Sequence, residues 1–202
     1  MPVTGTAGRT NQKARTRKAI IDACRELTRS GAEVTMPQVA RLALVSEATA
    51  YRYFPDMVSL LQEAFDGLWP DPAQALAPVE GSADPAERVA FACEYLMRGV
   101  YAYRGAVRAM ISHTIAAPAP SQGRPGIRFD LIDYALAPFE DAGRPPSLPP
   151  GAMARLKEGL AIVLSAEALF VLTDLCGLAP DDAIASVVRT ATTLTKAAFA
   201  GG

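Results

Sequence analysis

Two short stretches of helical periodicity, each headed by a residue able to cap a helix, stand only a few residues apart in TMPQVARLALVSEATAYRYFPDMVSLL, Thr35 to Leu61. Thr35 offers a side-chain oxygen at an N-cap, Gln38 is placed as the reciprocal partner of a capping box, and Val34 and Val39 are spaced as a hydrophobic staple. Pro37 falls in the first turn, where its missing N–H costs little. Val39, Ala40, Leu42 and Ala43 supply an inward face, and the pattern stops near Leu44 and Val45 before Ser46 offers a second cap. A second helix is expected from about Glu47 to Tyr53. So short a connection prevents the two helices from lying antiparallel along their length. They must cross steeply, as in a helix-turn-helix.

The second helix keeps an outward face of Glu47, Ala48, Thr49, Tyr51, Arg52 and Tyr53. This mixture of small, hydroxyl, aromatic and cationic groups can meet both base edges and phosphates. Thr35, Val39, Ala40, Ala43, Val45, Ser46, Thr49, Tyr51, Tyr53, Phe54, Leu60 and Leu61 together resemble the TetR family of bacterial transcriptional regulators. That family's pattern runs roughly T-x-x-x-I-A, A-G-V-S, T-x-Y-x-Y-F and K-x-x-L-L. The resemblance covers residues 13 to 68. It implies an all-α protein of about nine helices: an amino-terminal helix-turn-helix three-helix domain followed by a larger carboxy-terminal helical ligand-binding and dimerisation domain. The expected division is 10–69, with the motif at 35–54, and 70–202.

Two residues depart from the family pattern. Leu44 stands where the family usually has the turn glycine, so a positive φ there strains the backbone by about 1 kcal/mol. Met57 stands where relatives carry a lysine that meets a DNA phosphate. Its absence predicts a salt dependence shallower by about one unit.

A formal net charge of −1 suits a nucleic-acid partner only when it is divided along the chain. Residues 1–65 carry nine Lys/Arg against six Asp/Glu, a balance of +3, and residues 66–202 carry −4. Arg9, Lys13, Arg15, Arg17 and Lys18 precede the first apolar helix positions, forming a basic arm beside the reading helix. A solubilising disordered tail is the alternative reading of that arm. Cys24, Cys93 and Cys176 are odd in number and widely spaced, with a single histidine in the chain, which disfavours a disulfide framework or a zinc site. They read as reduced core residues of a cytoplasmic protein rather than a redox switch. The amino terminus lacks the apolar core of a secretory signal, and the longest apolar run, Leu160 to Leu172, is too short for a bilayer.

Taken in order, residues 1 to about 9 are expected to be disordered. A helix follows from about Asn11 to Ser30, ended by Gly31 in a left-handed cap, and Asp56 caps a fourth helix ending near Trp69. Residues 70–85 read as a linker or weakly helical crossing. A long helix from Asp84 to about Arg104 carries Val89, Cys93, Leu96 and Val100 on one face, and an apolar stretch continues to Ile115. Residues 117–126 and 144–151 are loops, with a helix from Ile127 to Asp141 that Pro138 bends or ends. Two last helices are expected over Ala152 to Cys176 and Pro180 to Ala200.

Leu160, Val163, Val187, Val188, Ala191, Leu194 and Ala198 are the candidate dimerisation residues, since apolar surface on several sides of these last helices needs covering. The resemblance implies a four-helix dimer interface there. It also implies a small-molecule effector, for which Phe91, Tyr95, Tyr101, Met110, His113, Phe129, Tyr134 and Phe170 provide aromatic and soft apolar surface, though ordinary core packing is the commoner role for each taken singly. DNA contacts fall to Glu47, Ala48, Thr49 and Tyr51 at base edges and to Thr35, Arg52, Tyr53, Arg15 and Arg17 at phosphates. The expected partners are double-stranded DNA, a second copy of the chain and an unidentified effector, with no cofactor and no membrane. Without a phosphate-binding glycine loop, a metal-ligand cluster or a nucleophile–base pair, an enzyme is disfavoured. A sequence-tolerant DNA-binding protein or a protein scaffold is the alternative.

Overall fold

The computed structural model describes residues 5–31, 33–65, 71–116, 126–140 and 147–200, with the side chains of 5–9, 113, 114, 116 and 150 outside the description. Among them are eleven α-helices: α1 (Gly5–Arg29), α2 (Met36–Leu42), α3 (Glu47–Tyr53), α4 (Met57–Phe65), α5 (Pro72–Ala75), α6 (Pro85–Ala102), α7 (Arg104–Ala116), α8 (Ile127–Leu136), α9 (Pro150–Val163), α10 (Ala166–Phe170) and α11 (Pro180–Ala200). No strand occurs among the described residues. The chain divides into two compact units, residues 1–69 with 102–124, and residues 70–101 with 125–202.

In the first unit, the short helices are fixed by local hydrogen bonds and held together by one apolar core. Ile20 and Cys24 of α1, Val39 of α2, Ala50 of α3 and Leu60 and Leu61 of α4 are all wholly or nearly wholly buried in it. Met110 and Ala106 of α7 enter the same core, and Tyr103 meets Phe65 edge to face with ring centroids 5.5 Å apart. α1 begins at Gly5, inside the stretch expected to be disordered. It ends as expected at Gly31, whose φ is +67° and whose N–H donates to the Thr28 carbonyl at 3.1 Å. A Cβ at Gly31 would lie 2.3 Å from the Arg104 guanidinium, so a side chain would force that arginine to move as well as strain the backbone.

The α2–α3 turn is a Schellman motif. Val45 N–H donates to the Ala40 carbonyl at 2.9 Å and Leu44 N–H to the Arg41 carbonyl at 3.2 Å. That pattern requires a left-handed residue after the helix cap, and Leu44 fills it with φ +56°. Its side chain is 92% exposed, so no packing offsets the strain. Ahead of α2, the Gln38 side-chain oxygen accepts from the Thr35 N–H at 2.9 Å and from its hydroxyl at 3.0 Å. Asp56 caps the fourth helix, its carboxylate accepting from the Ser59 N–H at 2.7 Å. The expected end of α4 near Trp69 lies outside the described residues.

The second unit is organised around Arg88 of α6, which is 2% exposed and has no carboxylate partner among the described residues. Its guanidinium donates to the carbonyls of Ala135, Val79, Glu80 and Tyr134 at 2.8, 2.8, 2.8 and 3.0 Å. Two of these acceptors lie in the last turn of α8, where the helix dipole presents negative charge. Val89, Cys93, Leu96 and Val100 are buried as their spacing predicts. Burial pushes the Cys93 thiol up to about 12, and the Glu94 carboxylate beside it adds to the rise. Pro138 falls in a 3-10 turn after α8 has ended.

The single helix expected from Ala152 to Cys176 is instead broken after Val163. Ser165 caps a new helix, its hydroxyl oxygen accepting from the Ala168 N–H at 3.1 Å. α10 passes into a π-helical turn, Val171–Leu175, which Gly177 ends at φ +67°. Within this unit α9 packs on α11. Lys157 joins Asp133 and Glu140 with 2.6 Å contacts to each.

Candidate nucleic-acid interface

α3 is too short to hold itself helical, so its position comes from its cap and its one buried face. Ser46 Oγ accepts from the Thr49 N–H at 3.2 Å and donates to Thr49 Oγ1 at 2.9 Å. Ala50 is completely buried against the core, and Phe54, 2% exposed, anchors the far end. What remains outward is the face the sequence points to. Glu47, Ala48 and Arg52 are exposed, Tyr51 is 48% exposed, and Thr49 and Tyr53 are half-buried at its edges. Thr35, at the head of α2, is half-buried.

The basic helix α1 contributes differently from expectation. Arg15 is exposed. Arg17 turns inward: Nε donates to the Glu63 carboxylate at 3.0 Å, Nη2 pairs with its other oxygen, and the guanidinium carbon lies 4.6 Å from the centre of the Phe54 ring. A guanidinium held by a carboxylate and an aromatic face is a strut between α1 and α4. Lys18 pairs with Asp22 on the surface at 2.5 Å.

Lys13 of the expected basic arm lies nearer α3, together with Gln12 and Thr16, which sequence reasoning missed. Gln12, Lys13 and Thr16 of α1 face Val45, Ser46, Thr49, Arg52 and Tyr53 across a concavity of about 540 Å³. Their spacing of one helical turn lies within the helix expected from about Asn11, but which face of that helix meets α3 is set only by the tertiary fold. Met57, where relatives have a lysine, is partly buried against the core of the unit.

The candidate effector residues are not gathered into one place. Met110 belongs to the core of the first unit, because α7 turns that face toward α4. Phe129 is 52% exposed, with the Arg128 guanidinium 5.2 Å from its ring centre. Tyr134 lies half-buried, 5.8 Å from the Arg88 guanidinium. Phe91, Tyr95, Tyr101 and Phe170 are half-buried in the second unit, and the side chain of His113, on α7, lies outside the described residues. Of the candidate dimerisation residues, Leu160, Val187 and Ala191 are buried within the single chain, where α9 meets α11. Val163, Val188 and Ala198 are half-buried and Leu194 is 38% exposed. Ile162, which the sequence reading omitted, is 75% exposed beside them in sequence.

Residues 20–64 match the family model for bacterial regulatory proteins of the tetR family. No curated protein matches the chain.

Proposed function

We propose that this chain, a DNA-binding transcriptional regulator belonging to the TetR family of bacterial regulatory proteins, works as a homodimeric repressor that a small, mostly apolar ligand releases from an inverted-repeat operator. The observation that carries this reading is α3: a capped helix anchored by Ala50 and Phe54, with Glu47, Ala48, Thr49 and Tyr51 left to meet bases. Residues 10–69 read the DNA, with α7 bracing their core from within the sequence of the sensing and dimerisation domain, 70–202.

In a dimer the two α3 helices occupy successive major grooves, about 34 Å apart. Thr35, Arg52, Tyr53 and Arg15 hold phosphates and set the register in which α3 reads bases. The partner is met through the outer face of α9 and α11, at Ile162, Val163, Val188, Leu194 and Ala198, since the inner face is used within the chain. Release is a population shift. An effector that binds the wide-set arrangement better than the DNA-competent one weakens operator binding by that difference in affinity. No described helix is long and apolar enough to cross a membrane, and a cytoplasmic site of action fits a DNA partner. Turnover of a bound compound would count against the reading.

The test begins with a selection of genomic fragments by the purified protein at near-physiological salt. An inverted repeat close to a promoter is the expected product. Retention with no shared sequence would instead favour a sequence-tolerant binder. On the selected duplex, Tyr51→Ala should weaken binding by at least about tenfold, the loss of one good base contact, while far-ultraviolet circular dichroism and dimer mass stay unchanged. Retained operator affinity would remove Tyr51 from the reading face.

A further inference from the structure

We infer that the groove between α1 and α3 is a seat for the sugar–phosphate backbone, with Lys13 as the phosphate ligand of α1 and Arg17 as a positioning residue. This rests on the DNA-binding reading above and adds Lys13 to its phosphate contacts.

The groove's lining is chemically one-sided. Lys13 and Arg52 bring two cations, Gln12 brings an amide donor and Thr49 a hydroxyl donor, and no carboxylate is among the lining residues. Such a surface favours an anion with several acceptor oxygens, and a phosphodiester is one. Its hydroxyls are already ordered. Thr16 donates to the Gln12 carbonyl at 3.0 Å, and Thr49 accepts from Ser46 at 2.9 Å, so the Thr49 hydroxyl proton can be given to an incoming oxygen. Lys13 and Arg52 are both exposed and form no ion pair with another described residue. At about 540 Å³ and open to solvent, the groove takes a length of backbone rather than a single buried ion. It shares Thr49, Arg52 and Tyr53 with the face that carries Tyr51, so a strand lying in it passes directly beside the base-reading residues.

Arg17 is excluded from this role by its contacts. Its guanidinium is already occupied by both oxygens of Glu63 and by the Phe54 ring, and Phe54 is the residue that closes α3. It sets the angle of α1 against α4 and so the width of the groove that Lys13 borders.

A phosphate contact is independent of sequence, so the probe is a fixed 30-base-pair duplex of arbitrary sequence, run beside the selected operator. Full-length protein is titrated by fluorescence anisotropy between 50 and 200 mM salt. Lys13→Ala should weaken both duplexes by the same factor, about three- to tenfold, and reduce the slope of log affinity against log salt by about one. Lys13→Arg should restore the slope. Arg17→Ala should leave the slope unchanged while lowering the melting temperature, and Arg17→Lys should recover only part of that loss. An unchanged slope for Lys13→Ala, or a slope reduced by Arg17→Ala, overturns the assignment. Should the wild type bind neither duplex, the regulator reading falls and this inference with it; wild-type binding with an unchanged Lys13→Ala slope overturns the groove alone.

Discussion

The capped short helices of the first unit and the Arg88 junction of the second are shaped by hydrogen bonds of opposite reach, although Arg17 and Glu63 give the first unit one long-range tie of its own. In the first, the bonds that shape α2, α3 and α4 span three to five residues: Thr35 with Gln38, Ser46 with Thr49, Asp56 with Ser59, Val45 with Ala40. In the second, Arg88 reaches carbonyls 46 and 47 residues away. Local bonds form helix ends of fixed shape wherever those residues occur. Distant ones exist only once the whole unit has folded. The first unit can therefore tolerate changes to any one cap, whereas the second depends heavily on a single side chain.

Removing that side chain is the strongest way to press the contrast. Arg88→Ala removes four hydrogen bonds, those to Ala135 and Val79 being buried, and should cost the second unit roughly 3–5 kcal/mol, read as an early thermal transition and as loss of amide protection in residues 126–140. Arg88→Lys should recover little, because an ammonium cannot reproduce the guanidinium's spread of donors. Equal loss of protection in α1–α4 would show that the units do not melt separately and would break the comparison.

A milder change works in the opposite direction on the first unit. Leu44→Gly relieves a left-handed, non-glycine residue whose side chain contacts little, and should raise stability by about 1 kcal/mol. Denaturant melts would read this as a higher midpoint at unchanged slope. An unchanged or lower midpoint would mean that Leu44 is stabilised by something other than its backbone geometry.

The smallest effect concerns the thiols. Burial raises Cys24 to about 12, against a minor lowering by Arg25, and Cys93 to about the same value, so both are protonated at neutral pH. Cys176 is exposed. A native sample at pH 8 should react quickly with a disulfide reagent at one thiol per chain, and at three after unfolding. Fast reaction at two would show one of the units opening locally.

The contrast in reach also governs what could be read from the residues beforehand. The all-α architecture, the four amino-terminal helices, the left-handed Gly31 and the strained Leu44 were legible because capping residues and apolar spacing act within a turn or two of themselves. Ser165 carries the same kind of signal, but it sits inside the apolar run Leu160 to Leu172, and the single helix expected from Ala152 to Cys176 passes over the break between α9 and α10. Arg17 and Arg88 were illegible for another reason. Both stand in helical segments as ordinary cations, and their roles depend on Glu63, Phe54 and the end of α8, which only the tertiary fold brings near. The same limit applies to the candidate site. The outward face of α3 followed from its own seven residues, but the groove beside it needs α1 to turn Lys13 rather than Arg17 toward α3. The buried state of Leu160, Val187 and Ala191 likewise follows from which faces α9 and α11 turn to each other.

The Arg88 arrangement has one more consequence, for how this unit withstands change over time. All four of its acceptors are main-chain oxygens. None of them titrates, so a shift of pH cannot unlock the junction through its acceptors. None belongs to a side chain either, so the residues at 79, 80, 134 and 135 can vary without removing an acceptor. Supplying the acceptors places no demand on those side chains, so for the hydrogen bonds alone the one side chain under selection is Arg88.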